Sequence, residues 1–162
     1  MSTTFAVRIV QIQVAKHDTR FGIWHFLALR RSPTEMVFPN IWQPVTGSIE
    51  ADETPQKTAF RELREETGLH VSELWVLPFV GSYFDSVRNV VNFVPCFGAI
   101  VGDDAVIELS DEHCAYAWVS LEEMRQRFVI PSHIEAGEHF YRSILRPLEQ
   151  SEIPVFMRSY QH

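Results

Sequence analysis

The sequence predicts a single α/β layered domain over residues 1–162, strands mixed with a few helices. Three observations predict it. Apolar runs of strand length are interspersed with segments that open and close on helix-capping residues. No internal repeat, low-complexity tract or linker divides the chain. At 162 residues, 46% hydrophobic and 22% charged, the chain has the composition of a soluble domain and can bury one core.

The elements follow in order. Phe5–Val14 carries Val7, Ile9, Val10, Ile12 and Val14, as a mostly buried strand does. Ile23–Arg30 reads as a second strand that runs into the basic pair Arg30-Arg31. Residues 32–41 form a loop, marked by Pro33, Pro39 and Asn40, before a short strand Trp42–Val45 reaches Gly47. Thr54 and Pro55 suit an N-cap and first helical position, and Gly68 a left-handed stop, so a helix lies between them. Leu74–Phe84 and Val90–Val101 are two strands joined near Asp85–Asn89, and Ala115–Val119 is a short last strand. Ser120-Leu-Glu-Glu123 and Ser132-His-Ile-Glu135 both match a capping box. The second should open a helix that runs to Arg146 and is closed by Pro147. The tail Ser151–His162, with Ile153, Val155 and Phe156, is expected to pack on the domain or on a second subunit, so monomer and homodimer both stay open. Spacing alone does not fix the topology.

Composition excludes several function classes. A net charge of −7 argues against a nucleic-acid binder, because phosphate backbones recruit basic surfaces. The longest apolar stretch, Val90–Val101, is broken by Asn92, Pro95 and Gly98, which predicts no membrane span. The N-terminal residues lack a charged leader ahead of an apolar core, and the two cysteines, Cys96 and Cys114, form no metal or disulfide framework. Both features fit a cytoplasmic protein. There is no GxxxxGK phosphate loop and no Ser/His/Asp or Cys/His nucleophile arrangement. An acidic protein can still act on a phosphorylated small molecule when a divalent cation bridges the negative charges.

The decisive segment is Gly47–Leu69, GSIEADETPQKTAFRELREETGL. At about 100° per residue, Glu62, Glu65 and Glu66 fall within roughly a 100° arc of one helix. Ala59, Phe60, Leu63 and Thr67 form the neighbouring buried arc, so the carboxylates line the margin of the core. Like charges so close destabilise a helix, and bound Mg²⁺ or Mn²⁺ would reverse that cost, since hard cations take oxygen ligands. The helix by itself could equally be a charged surface helix with Arg61 and Arg64 as partners.

The segment fits without a gap the Nudix signature of Gly, five residues, Glu, seven residues, then Arg-Glu-apolar-x-Glu-Glu-x-Gly-apolar. The matching positions are Gly47, Glu53, Arg61, Glu62, Leu63, Glu65, Glu66, Gly68 and Leu69. Seven fixed identities at roughly 5–7% usage give chance odds on the order of one in 10⁸ per starting position, which sets the surface-helix reading aside. The chain therefore resembles the Nudix hydrolases. That resemblance implies the Nudix fold, a mixed β-sheet sandwiched between α-helices, and metal-dependent hydrolysis of a nucleoside-diphosphate-type linkage in a small nucleotide-like substrate. It implies that Glu62, Glu65 and Glu66 are metal ligands, with the Gly47 carbonyl a further one, and that Glu62 can act as the base. It gives Glu53, Arg61 and Gly68 structural roles. The loop Glu50-Ala-Asp-Glu53 departs from the family in having Asp52 where glycine is common; Asp tolerates tight turns, so a small change of loop shape is expected.

Two further stretches bear on substrate. Trp42-Gln-Pro-Val-Thr-Gly-Ser48 resembles the lead-in of bacterial dihydroneopterin triphosphate pyrophosphatases, and Glu112-His-Cys-Ala-Tyr-Ala-Trp118 resembles a segment of the same group. The resemblance implies that Glu112 reaches the metal site as ligand or catalytic group, and that dihydroneopterin triphosphate is the substrate. A nucleoside triphosphate such as dATP is the alternative. Arg30 or Arg31 could grip a phosphate, Trp42 could stack on the ring, and His113 could assist proton transfer. Each is equally readable as an ordinary surface pair, a packed Trp and a hydrogen-bonded neutral His. Two other classes compete: a nucleotide-sensing module that has lost the chemistry, and an isomerase with a catalytic cysteine. Retention of all three helix glutamates argues against the first, and the settings of Cys96 and Cys114 against the second.

Overall fold

A computed structural model describes residues 2–156 and 158–160. Its strands are β1 (Thr4–Val7), β2 (Ile9–Asp18), β3 (Ile23–Arg31), β4 (Trp42–Gln43), β5 (Val45–Ser48), β6 (Glu73–Asp85), β7 (Val90–Val101), β8 (His113–Val119) and β9 (Arg158–Tyr160). The helices are α1 (Pro55–Thr67), α2 (Leu121–Arg127), α3 (Pro131–Phe140) and α4 (Arg146–Glu149), with a π-helical turn at Tyr141–Leu145 between the last two. The sheet runs β4-β3-β2-β7-β6-β9, with β1 beside β7, β5 beside β2 and β8 beside β3. β7 pairs parallel with β1 and β2, and every other pairing is antiparallel. The sheet is mixed, as expected.

Helices cover both faces. Val10, Ile12 and Val14 of β2 point to one face, where they pack with Leu29, Ala59 and Leu63 under α1. Ala15, Phe26 and Ala28 point to the other, against Met124, Phe140 and Ile144 of α2, α3 and the π turn. This is the two-sided burial that the near-continuous apolar run of β2 calls for.

Several boundaries differ from the sequence reading, each for a local reason. The expected strand Phe5–Val14 is two strands. Val7 pairs with Phe93 and Gln11 with Cys96, so four residues on one strand span three on the other, and the surplus falls around Arg8. The Arg8 carbonyl instead accepts from the Ile49 amide at 2.8 Å. Trp42–Val45 is split at Pro44, which has no amide to donate, so β4 joins β3 and β5 joins β2. The Ser120 capping box forms in both directions, at 3.2 and 2.7 Å. The Ser132 box does not: α3 starts at Pro131, its N-cap Ile130 offers no side chain, and Ser132 already lies in the first turn. Pro147 does not close the last helix either. The preceding turn widens so that the Arg146 amide bonds to the Tyr141 carbonyl, and Pro147 sits in the first turn of α4, where its missing N–H matters least. The tail returns to the domain: β9 pairs with β6, Phe156 packs against the second core cluster, and the Arg158 guanidinium lies over Trp75 at 4.6 Å. Ile153 and Val155 stay exposed.

Candidate active site

The Gly47–Leu69 segment folds as its spacing predicts. Thr54 caps α1 by accepting from the Lys57 amide at 3.3 Å, and Gly68 ends it at φ 71°, donating to the Arg64 carbonyl. Asp52 takes φ 67°, the left-handed conformation that a glycine would otherwise supply. Arg61 organises the motif. Its Nε and Nη2 donate to Glu53 at 2.8 and 2.9 Å, Nη2 also reaches the Ser48 carbonyl at 3.0 Å, and Nη1 donates to Glu62 at 2.8 Å and Glu65 at 3.0 Å. The Arg61 hydrogen bonds, helped by the Thr58 hydroxyl, hold the Glu53 carboxyl down at about 2.

Glu66 is the anomaly. It is 4% exposed, and its Oε2 has no hydrogen-bond partner among the described residues. Burial, followed by the charges of Glu62 and Glu112, pushes its pKa up to about 9, against the opposing pull of Arg31. Glu62 is raised as well, by burial first and then by Glu65 and Glu112, while Arg61 opposes the rise. Glu112 thus stands close enough for its charge to be felt by both helix carboxylates. The segment before β8 brings it there: the Glu108 and Ser110 amides donate to the Thr67 and Glu66 carbonyls at 2.9 and 3.3 Å, which ties this loop to the end of α1. His113 places Nε2 3.8 Å from Glu66, but burial holds its pKa near 4, so the two form no ion pair at neutral pH. Gly47 lies directly against Glu62, where any Cβ would run into the glutamate side chain.

The expected metal cluster is only partly gathered. Among the described residues no three His, Cys, Asp or Glu side chains already surround a common point. Arg61 engages Glu62 and Glu65, and the Glu65 side chain is half-exposed. The donor set nevertheless fits a hard divalent cation. Glu66 offers a buried, unpartnered carboxylate oxygen, two further carboxylates lie near, and a positive charge would remove the penalty on ionising Glu62 and Glu66.

Beside this cluster opens a cleft of about 900 Å³, lined by residues that include Gln11, Arg31, Thr46, Ser48, Phe79 and His133. β5 forms the partition: Thr46 and Ser48 line the cleft, and Gly47 between them touches Glu62. Arg31 lines the cleft and also influences Glu66 and His113, but here it is held by Glu35 at 2.7 Å and the Val37 carbonyl at 3.0 Å. Arg30 is exposed and does not line the cleft. Nor does Trp42, which packs in the second core cluster with Arg127 over its ring at 5.1 Å. Of the three substrate-contact candidates, the structure brings only Arg31 to the cleft. The sequence reading passed over Gln11 and His133. Polar residues at alternate positions of an otherwise apolar strand, Gln11 and Gln13, were the available signal.

An acidic helix beside a cleft, on a mixed sheet covered by helices on both faces, defines a layered α/β domain. The NUDIX domain model matches residues 4–144, and the chain belongs to that family. It is 66% identical over 35 residues, 22% of each chain, to a dihydroneopterin triphosphate diphosphatase from Haemophilus influenzae. It is 39% identical over 87 residues to the asymmetrical bis(5'-nucleosyl)-tetraphosphatase of Mus musculus, covering 52% of this chain and 59% of that one. The matches thus span 22% and 59% of these curated relatives' lengths. Among solved structures, the E. coli dihydroneopterin triphosphate pyrophosphohydrolase superposes with a TM-score of 0.67 at 25% identity, over 82% of this chain and 92% of its own length.

Proposed function

We propose that the protein hydrolyses a phosphoric anhydride bond in a nucleotide-like triphosphate, with dihydroneopterin triphosphate as preferred substrate and pyrophosphate as product. The observation that carries this reading is Glu66, a buried carboxyl with an unpartnered oxygen, flanked by Glu62 and Glu112 and facing the field of Arg31. The Gly47 carbonyl, Glu62, Glu66 and Glu112 would hold Mg²⁺ or Mn²⁺, joined by Glu65 once it leaves Arg61; such an ion neutralises phosphate oxygens and acidifies a water. Arg31 binds a phosphate oxygen in exchange for Glu35. Glu112, exposed on a loop, accepts the proton of the attacking water, and Glu62, held by Arg61, is the other candidate for that role. His113, neutral and with its Nε2 3.8 Å from Glu66, flanks the carboxyl without bonding to it. Glu53, Arg61 and Gly68 hold loop and helix in place.

The short match to the Haemophilus diphosphatase and the Trp42–Ser48 resemblance support the pterin substrate. The longer match to the tetraphosphatase supports a second reading, a dinucleoside polyphosphate. A panel of dihydroneopterin triphosphate, dATP, ADP-ribose and diadenosine tetraphosphate, assayed with Mg²⁺, with Mn²⁺ and with EDTA, separates them. We expect dihydroneopterin triphosphate to give the highest kcat/KM. The ring must decide between it and dATP, since the two share a triphosphate. A diadenosine tetraphosphate optimum would overturn the substrate, and turnover undiminished by EDTA would overturn the metal. Glu66→Gln should cost ~10³-fold in kcat, about 4 kcal/mol, with the fold retained.

A further inference from the structure

We infer that Gln11 and His133 form a ring-recognition subsite in the cleft, reading the hydrogen-bonding edge of a planar nitrogen heterocycle. This rests on the nucleotide-like substrate proposed above and names what holds its ring. Gln11 is 1% exposed and His133 7% exposed, and both line the cleft. The Gln11 Nε2 and His133 Nδ1 atoms are buried with no hydrogen-bond partner among the described residues. An unpaired buried donor destabilises a fold, and a Met or Leu at either position would remove that cost.

The neighbouring residue shows what a structural polar group looks like here. Gln13, two positions along the same face of β2, donates from Nε2 to the His133 carbonyl at 2.9 Å and so fastens α3 to the sheet. Gln11 makes no such bond from its Nε2. The His133 backbone is fully engaged, its amide donating to the Ile130 carbonyl at 3.0 Å, while its imidazole is only positioned, edge-on to Phe128 at 6.3 Å. Burial holds the imidazole pKa near 4, so at neutral pH it presents one donor and one acceptor. A carboxamide and a neutral imidazole complement the amide or amidine edge of a purine or pterin. They offer no cation to a phosphate. Phe79 and Val94 supply apolar wall for the ring face, Thr46 stands opposite Gln11 in the β2–β5 ladder, and Arg31 is the cation of the cleft lining. The ring therefore lies on Gln11 and His133, with its phosphates toward Arg31.

Gln11→Met, which keeps the volume and deletes the amide, tests the assignment. We expect the ligand-free variant to melt at or above the wild-type temperature. KM for dihydroneopterin triphosphate should rise at least tenfold with kcat within about threefold. Calorimetry should show dihydroneopterin or deoxyadenosine binding to wild type and not to the variant. His133→Phe should repeat the pattern. An unchanged KM, or wild type that binds neither ring compound, overturns the subsite even if anhydride hydrolysis is robust. Ring binding that depends on Gln11 in a protein that hydrolyses no anhydride sustains the subsite and overturns the proposed activity.

Discussion

At residue scale, the closest tolerance in the site is between Gly47 and Glu62. A Cβ at position 47 would occupy the space of the Glu62 Cγ and Cδ. β5 and α1 are both anchored, so the glutamate, a flexible side chain, would be the part that moves. Gly47→Ala should therefore cost little stability, with Tm within about 3 °C, and much activity, with kcat/KM down roughly 10²-fold, about 2.7 kcal/mol. Melting curves and steady-state kinetics on the same preparation check both halves, and an unchanged kcat/KM would show that Glu62 has no fixed place in catalysis. Gly47, Asp52 and Gly68 were legible in the sequence because a turn or a close approach narrows the allowed residues locally. Glu112 was legible only through resemblance, because two backbone hydrogen bonds across some forty residues of chain bring its loop to α1. Gln11 was legible only as a polar residue at an alternate position of an apolar strand, and His133 not at all: nothing nearby in sequence says that either will be left unpaired.

At element scale, α1 and its preceding loop are held by charge. Glu53 connects the Glu50 amide, the Thr58 hydroxyl and the Arg61 guanidinium, and Arg61 continues to Ser48 on β5. Its folded pKa, about 2, lies below the usual 4.5, so the unfolded chain binds the extra proton as pH falls between those values. The stability that Glu53 contributes is thus fully present above about pH 4.5 and is lost on acidification toward about pH 2. Glu53→Gln should lower the urea midpoint at pH 6 and change it much less at pH 3; an equal gap at both pH values would contradict the ion pair as its source. Helix α1 could be read to the residue because N-cap, Pro and Gly all agreed. The start and stop of α3 could not, since Ser132 and Pro147 each carry a second, equally local meaning. An N-cap serine and a serine in the first turn look alike until Pro131 takes the first helical position.

At the scale of the whole molecule, the sequence showed the strands and not their partners. Parallel pairing of β1 and β2 with β7, and the return of the tail to β6, join residues more than eighty positions apart in the chain, and no local pattern encodes that. The tail is the part whose contribution is least tied to chemistry. β9 covers the outer edge of β6 with a three-residue ladder, Arg158 shields the Trp75 ring and pairs with Glu73, and Phe156 closes the margin of the second core cluster. None of the described residues between 151 and 160 lines the cleft. Removing residues 151–162 would uncover part of Trp75 and Phe156's packing surface and leave the β6 edge unpaired. Exposure of one large side chain's worth of apolar surface costs about 2 kcal/mol, which for a domain of this length is roughly 4–8 °C in Tm. An open edge strand also templates association between chains. The truncated protein should therefore melt lower by that amount and scatter more light on heating, while kcat/KM at 25 °C stays within about twofold of wild type. A large loss of kcat/KM with the melting temperature unchanged would instead show that the tail acts on the site, and the division between a β6 edge that stabilises and a cleft that reacts would fail.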